Sequence, residues 1–141
     1  MKRIFPLHEY EQYLSAFSAH AVTYKGVTYP TVEHAYHCQR YSDPKIKDEI
    51  RKALSAFKAW EASQKYKSQQ FHDFDSKKEE IMEELCRAKL EQHNDIKEAL
   101  LVSDDAVIIK DFPDPFWGIG MDGVGQNKMG VMWMKLRSEL K

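Results

Sequence analysis

The stretch AVTYKGVTYPTVEHAY, residues 21–36, has sequence patterns typical of β-strands and of an α-helix. Two short runs rich in valine, threonine and tyrosine flank Lys25-Gly26, and a separation of two residues is typical of a tight β-hairpin. Thr31 then indicates the N-cap of a helix, because apolar side chains recur after it at helical spacing. The stretch therefore predicts a hairpin that leads directly into an α-helix.

Helical patterns dominate the remainder of the chain. Asp43-Pro44 predicts the end of the first helix, and a capping-box pattern beginning at Ser76 predicts the start of the longest one. The other predicted elements are helices over about 46–54, 58–67 and 94–101, a buried strand over 106–109 and a closing helix from about Asn127. Strands and helices do not alternate regularly, which argues against a doubly wound parallel sheet. The pattern predicts a helix-dominated α+β fold with a small β-sheet, formed by a single domain over residues 1–141.

Length and composition exclude several classes of protein. The 141 residues are 43% hydrophobic and 30% charged, which suits one folded domain and neither a disordered nor a fibrous chain. The net charge of -1 argues against binding nucleic acid mainly through long-range attraction. No apolar run approaches the roughly 20 residues of a membrane span. The polar N-terminus and two distant cysteines, Cys38 and Cys86, predict a reduced cytoplasmic setting with no membrane partner.

Four of the six glycines lie within eight residues, in the segment FWGIGMDGVGQN over residues 116–127. Gly118, Gly120 and Gly123 match a GxGxxG spacing, but two prolines separate them from the preceding strand, which argues against a dinucleotide-binding fold. Because a helix follows, backbone N–H groups of this loop and the helix start could bind a phosphate. The alternative is a tight turn anchored by one tryptophan.

Glu33 is predicted in the first turn of the Thr31 helix. On a helical wheel it shares a face with Tyr36, His37 and Arg40. A carboxylate at this position could act in a catalytic site. The alternative is structural, because acidic residues are favoured in first turns by the helix dipole.

Three side chains of the same helix could be metal ligands. His34 and Cys38 are four residues apart, and His34 and His37 are three apart, so a helix could present two of them together. A structural zinc site usually needs four ligands, and no second cluster of cysteine or histidine follows at a suitable spacing. We therefore expect no metal.

Lys89 falls on the apolar stripe of the predicted long helix. Such a lysine either extends its ammonium group outward to solvent or points it into a pocket to bind phosphate or carboxylate. Gln92, three residues on, would lie beside it.

Four short motifs occur in order: Leu14–Ser18, Tyr29–Tyr36, Ala88–Gln92 and Phe116–Gly130. Together they resemble the NADAR (NAD and ADP-ribose associated), or YbiA-like, family over nearly the whole chain. The resemblance implies an N-glycosidase that needs no cofactor and hydrolyses the C1′–N bond of a phosphorylated ribosyl-base metabolite, of the riboflavin-intermediate type. The alternatives are an ADP-ribosyl-guanine glycohydrolase and a non-catalytic module that binds ADP-ribose or a nucleotide. Nucleic acid would be a partner only in the first alternative.

The resemblance also implies site residues. Glu33 and Asp122 match acidic residues of the family, and we expect them to be catalytic, since breaking a C1′–N bond builds positive charge on the ribose that a carboxylate can stabilise. We further expect the Thr31 helix and the loop 117–125 to line one pocket. The expected substrate-binding residues are Phe17, Tyr36, Lys89, Gln92, Trp117, Gly118, Gly120 and Asn127.

Some positions depart from the family pattern. Ala16 stands where the family usually has asparagine, and Phe71-His72-Asp73-Phe74 stands where it usually has R-P-D-W. These departures remove an amide and basic groups that could hold a phosphate, so the substrate is left open.

Overall fold

The computed structural model describes residues 4–6 and 13–140. The strands are β1 (Ile4–Pro6), β2 (Val22–Tyr24), β3 (Val27–Tyr29) and β4 (Val107–Ile109). The helices are α1 (Val32–Cys38), α2 (Pro44–Arg51), α3 (Ala56–Lys65), α4 (Phe74–Gln92), α5 (Asn94–Ser103) and α6 (Lys128–Ser138), with a short 3-10 turn at Lys67–Gln69. Two compact units are distinguished: Ala16–His93, and the segments before and after it. The single-domain expectation stays a prediction.

The predicted hairpin opens the unit Ala16–His93. Strands β2 and β3 are antiparallel, with Val22 opposite Tyr29. Lys25 has φ 50° and Gly26 has φ 82°, and positive φ at both central residues of a two-residue loop defines the type I′ turn that suits a hairpin. The prediction from Lys25-Gly26 is confirmed.

Helix α1 lies at the centre of this unit, and all seven of its residues are buried. Thr31 is its N-cap, as predicted, and its hydroxyl accepts a hydrogen bond from the backbone of His34 at 3.2 Å. The helix packs against α2, α3, α4 and the hairpin. It ends before Asp43, whose side chain instead caps α2 by accepting from the backbone of Lys45 at 2.9 Å.

Helix α4 begins at Phe74, so the predicted start at Ser76 is wrong by two residues. The hydroxyl of Ser76 donates to the carbonyl of Asp73 at 2.7 Å and caps no helix. Phe74 is 1% exposed, and burying an aromatic ring of this size favours an earlier start than the local capping pattern indicates.

The second unit is built around β4 and α6. Strand β1 pairs in parallel with β4, with Ile4 opposite Val107, a pairing that the sequence did not predict. The apolar stripe of α6 is buried as predicted, and the indole of Trp133 donates to the carbonyl of Leu14 at 2.9 Å. Ile108 and Leu136 also belong to the buried core of this unit.

In the part of the chain that the structure describes, six helices and two small two-stranded sheets make a helix-dominated α+β fold, which confirms the predicted fold class. Within residues 4–6 and 13–140, none of the helices has the length and apolar character needed to cross a bilayer.

Candidate active site

Glu33 lies in the first turn of α1 and is 9% exposed. Its backbone N–H donates to the carbonyl of Ala16 at 3.0 Å, which ties the preceding loop to the helix start. Its Oε1 accepts a hydrogen bond from Nε2 of His37, one turn later. A buried carboxylate needs such a partner, because an unpaired buried charge is strongly unfavourable. The carboxyl group of Glu33 is therefore held in place within the unit Ala16–His93.

Arg40, in the turn that follows α1, continues this arrangement. Its Nε donates to Nδ1 of His37 at 2.9 Å, and its Nη1 donates to Oε1 of Gln70 at 3.0 Å. Its guanidinium lies over two rings, 4.5 Å from the centroid of Phe74 and 5.2 Å from that of Tyr36. The helical-wheel prediction that Tyr36, His37 and Arg40 share the face of Glu33 is confirmed.

Tyr36, expected to bind substrate, is 3% exposed. Its ring packs edge-on against Phe74 at 5.4 Å and against the imidazole of His37 at 5.1 Å between centroids. The ring therefore supports the residues beside Glu33 from the interior. Gln70 was not singled out from the sequence, and Phe74 was named only within the segment that departs from the family pattern, since these contacts come from a segment about thirty residues further along the chain.

The polar atoms considered as metal ligands form hydrogen bonds within the unit. His34 uses both ring nitrogens, Nδ1 with the hydroxyl of Thr31 at 2.8 Å and Nε2 with the carbonyl of Ala53 at 3.0 Å. The thiol of Cys38 donates to the carbonyl of Lys47 at 3.3 Å, and burial raises its pKa to about 11. A thiol with so high a pKa is a poor metal ligand, because the thiolate is the form that binds.

Lys89 points inward. It is 1% exposed, and its Nζ donates to the hydroxyl of Ser18 at 2.6 Å. Ser18 in turn is 2.8 Å from Nδ1 of His20. Lys89 therefore does not extend to solvent, and its hydrogen bond to Ser18 could not be seen from the sequence. Its role in binding substrate stays a prediction, as does that of Phe17, which is 47% exposed.

Gln92, expected beside Lys89 as a substrate-binding residue, pairs with the hairpin. Its Oε1 accepts from the backbone N–H of Thr23 at 2.9 Å, and its Nε2 donates to the carbonyl of Thr23 at 2.9 Å. Both the oxygen and the nitrogen of the amide are thereby used in hydrogen bonds to the backbone of the hairpin. In this geometry Gln92 connects α4 to β2.

The glycine loop of the second unit pairs its N–H groups internally. Those of Gly118, Ile119 and Gly120 donate to the carbonyls of Asp114, Lys110 and Phe112 at 2.9–3.0 Å. At the start of α6, Lys128 and Met129 donate to the carbonyls of Phe116 and Trp117 at 3.1 Å. Because these N–H groups already donate to backbone carbonyls, this geometry favours the alternative of a tight turn, and the expectation that Gly118 and Gly120 bind substrate stays a prediction.

Gly118 is needed for packing. A Cβ there would lie 2.8 Å from the carbonyl oxygen of Lys110 and 2.9 Å from that of Phe112. Gly120 has φ 76°, a conformation that other residues adopt at a cost. Both glycines therefore serve the close approach of backbone segments.

Asn127 joins β4 to α6. It has φ 51° and precedes the first residue of the helix. Its Oδ1 accepts from the backbone of Lys110 at 2.9 Å, and its Nδ2 donates to the carbonyl of Ile108 at 3.0 Å. The amide thus extends the strand, which is a structural use of a residue expected to contact substrate.

Trp117 and Asp122, the other two expected site residues of this loop, both have exposed surface. Trp117 is partly exposed and packs edge-on against Phe116 at 4.9 Å. Asp122 is exposed, and its Oδ1 accepts from the backbone of Val124 at 3.1 Å, which forms a turn. Glu33 belongs to the unit Ala16–His93 and Asp122 to the other, and the expected shared pocket stays a prediction.

Comparison with known proteins gives consistent results. The model of the NADAR domain matches residues 5–141. N-glycosidase YbiA of Escherichia coli (strain K12) is 33% identical over 127 residues, which cover 89% of this chain and 79% of that protein. A riboflavin biosynthesis protein of Vibrio vulnificus is 30% identical over 142 residues, covering 96% of this chain and 39% of that protein. The NMR structure of E. coli YbiA is similar with a TM-score of 0.81 and 32% identity, covering 90% of this chain and 76% of that one.

Proposed function

The chain belongs to the NADAR domain family, and from this premise we propose that it hydrolyses the C1′–N bond between ribose phosphate and base in a small metabolite of the riboflavin-intermediate type. The enzyme class, an N-glycosidase acting as a hydrolase on N-glycosyl bonds, is the one named for its E. coli relative, 33% identical. The substrate class is proposed in addition to this enzyme class.

The observation that carries this proposal is the buried carboxylate of Glu33. Cleavage of an N-glycosidic bond passes through a transition state with oxocarbenium character, in which positive charge develops on the ribose ring. A carboxylate that is 9% exposed interacts with such a charge more strongly than one in water, because the surrounding dielectric is lower. The same group can take a proton from the attacking water.

Lys89 supports a phosphorylated substrate. It belongs to the same unit as Glu33, and its ammonium group is held inward by the hydroxyl of Ser18 at 2.6 Å. A phosphate on the ribose would be neutralised by such a cation. The name of the Vibrio vulnificus relative, a riboflavin biosynthesis protein, favours the riboflavin-intermediate type among phosphorylated ribosyl-base compounds.

The test is an assay of base release. The purified chain is incubated with phosphorylated ribosyl-base intermediates of riboflavin synthesis, with ADP-ribosyl-guanosine and, for binding alone, with ADP-ribose. We expect stoichiometric release of base and ribose phosphate from the first group only. Release from ADP-ribosyl-guanosine alone, or binding of ADP-ribose without any cleavage, would overturn the proposal in favour of the corresponding alternative.

The same assay run with EDTA tests the expectation that no metal takes part. Since the polar atoms of His34 and Cys38 are used in hydrogen bonds within the fold, we expect unchanged turnover after chelation. Loss of turnover that added zinc restores would contradict it.

A further inference from the structure

Glu33 and His37 of α1 and Arg40, in the turn that follows the helix, form a hydrogen-bonded series. We propose that His37 and Arg40 are positioning residues, which hold the Glu33 carboxylate in one orientation for the glycosidic reaction. This inference rests on the proposed function and adds to it the residues on which the action of Glu33 depends.

The direction of the series follows from what each group can donate. A guanidinium has only donors, so Nδ1 of His37, 2.9 Å from Nε of Arg40, accepts with its lone pair. The proton of the neutral imidazole is then on Nε2, which donates to Oε1 of Glu33. An imidazole whose one nitrogen accepts in this way is fixed in a single tautomer. Arg40 thus determines that His37 is a donor toward Glu33.

Arg40 is itself held in position. Its Nη1 donates to Gln70 at 3.0 Å, and its guanidinium lies 4.5 Å from the ring centroid of Phe74. Its backbone carbonyl accepts from the N–H of Phe71 at 2.8 Å. These contacts come from the segment that leads into α4, so α1 and α4 together fix the guanidinium, which gives the donor to His37 a defined direction.

In this arrangement one oxygen of the Glu33 carboxylate is left to interact with a substrate or with water. Oε1 of Glu33 is occupied by His37, whereas Oε2 has no hydrogen-bond partner among residues 4–6 and 13–140. The side chains of Glu33 and His37 are 12% and 3% exposed. A partly exposed carboxylate that is held through one oxygen has the geometry required of a group that stabilises charge on a ribose or accepts a proton from water.

A set of variants separates positioning from mere packing. His37→Leu removes the donor to Glu33, whereas His37→Gln keeps an N–H donor near the position of Nε2. Arg40→Met removes the group that fixes the tautomer, and Arg51→Met, on α2 and paired with Asp48 at the surface, is the matched control. For each variant, kcat, KM and the melting temperature are measured on the same preparation.

We expect kcat to fall about tenfold or more in His37→Leu and Arg40→Met, with KM within about threefold, because the affected group acts on the transition state. His37→Gln should recover most of kcat, and Arg51→Met should match the wild type. If the wild type and Arg51→Met release base while His37→Leu and Arg40→Met keep normal kcat, the positioning roles are overturned and the proposed function stands. If the wild type releases no base from any substrate, the proposed function itself fails.

A spectroscopic measurement tests the tautomer without any substrate. In ¹⁵N NMR spectra, with the His37 signals assigned by their loss in His37→Gln, we expect a protonated Nε2 and an unprotonated Nδ1 near neutral pH. In Arg40→Met the two forms should mix. If Nδ1 of His37 is protonated in the wild type, the assigned direction of these hydrogen bonds is wrong, whatever the value of kcat. This measurement does not require His37→Leu to fold.

Discussion

At the scale of single residues, the two acids expected to be catalytic differ in surroundings. Glu33 is buried and accepts a hydrogen bond from His37. Asp122 is exposed, and its Oδ1 is used to form a turn with Val124. Water screens the charge of an exposed carboxylate far more than that of a buried one. The structure therefore favours Glu33 as the residue that stabilises the transition state.

The substitution Glu33→Gln tests this assignment. The amide keeps the shape, and its Oε1 can still accept from His37, so we expect the fold to survive with a loss of about 1–2 kcal/mol in the free energy of unfolding. Turnover should fall by about 10²-fold or more, the usual effect of removing a positioned acid–base group. Base release and urea denaturation measure the two effects.

Asp122→Asn is the matched comparison, since it makes the same chemical change at an exposed acid. We expect a smaller loss of turnover than in Glu33→Gln. Near-normal turnover in Glu33→Gln would refute its catalytic assignment, and a larger loss in Asp122→Asn would transfer the main role to Asp122.

At the scale of elements, the segment from β4 to α6 is held by backbone contacts that only glycine permits. A Cβ on Gly130 would lie 2.1 Å from the carbonyl oxygen of Ile108 and 2.5 Å from the amide nitrogen of Asn127. The amide of Asn127 bridges the same carbonyl to the helix start. The residues that resemble a family signature here are therefore those that pack α6 onto β4.

Gly130→Ala should consequently destabilise the protein by about 1–3 kcal/mol or more, because the helix must move away from the strand. Gly123→Ala is the control. It has φ 78° and no atom within 4 Å of an added Cβ, so only the conformational cost of about 1–2 kcal/mol applies. Urea denaturation compares the two. A Gly130→Ala variant no less stable than Gly123→Ala would contradict the packing role.

Two boundaries of secondary-structure elements were predicted correctly from the sequence, whereas the start of α4 was not. The hairpin turn at Lys25-Gly26 and the Thr31 cap depend on neighbouring residues, and both are as predicted. The capping-box pattern at Ser76 competes with the burial of Phe74, whose ring packs against Tyr36 and under Arg40. Burial of the ring is the larger contribution, so the helix begins at Phe74.

At the scale of the whole molecule, stability should depend on alkaline pH through Cys38. Burial raises the pKa of its thiol from 9.0 to about 11. The fold therefore favours the neutral thiol, and this contribution is fully present below about pH 9 and is lost as the pH rises through about 11. A shift of this size corresponds to roughly 1–3 kcal/mol.

The measurement compares the free energy of unfolding at pH 8 and pH 11 in the wild type and in Cys38→Ala. Tyr41, whose pKa is raised by burial, contributes equally to both proteins. The pKa of Tyr29 is raised mainly by burial, with a smaller contribution from the charge of Cys38 that is absent in Cys38→Ala. We expect the wild type to lose about 1–3 kcal/mol more than Cys38→Ala over this range. Equal losses would show that the Cys38 thiol does not carry the pH dependence.

The sequence by itself determined the local structure and one face of the site. Apolar side chains at helical spacing predicted the helices, and the spacing of Glu33, His37 and Arg40 placed them on one face, since an α-helix brings residues three and four apart together. The four motifs also identified the family, which the match over residues 5–141 confirms. These properties depend on residues close together in the chain, so no tertiary information is needed to see them.

Only the tertiary structure decided what the polar groups bind. Lys89 turns inward to Ser18, 71 positions away, and Gln92 pairs with Thr23, 69 positions away. The N–H groups of Gly118 and Gly120 find acceptors in the segment 112–114, and β1 pairs with β4 from the other end of the chain. Each of these polar groups could equally have bound a ligand, and burial requires only that some partner be found. The partner of each group depends on which segments the fold brings within hydrogen-bonding distance, about 3 Å. The separation of two residues along the chain does not determine whether they come this close.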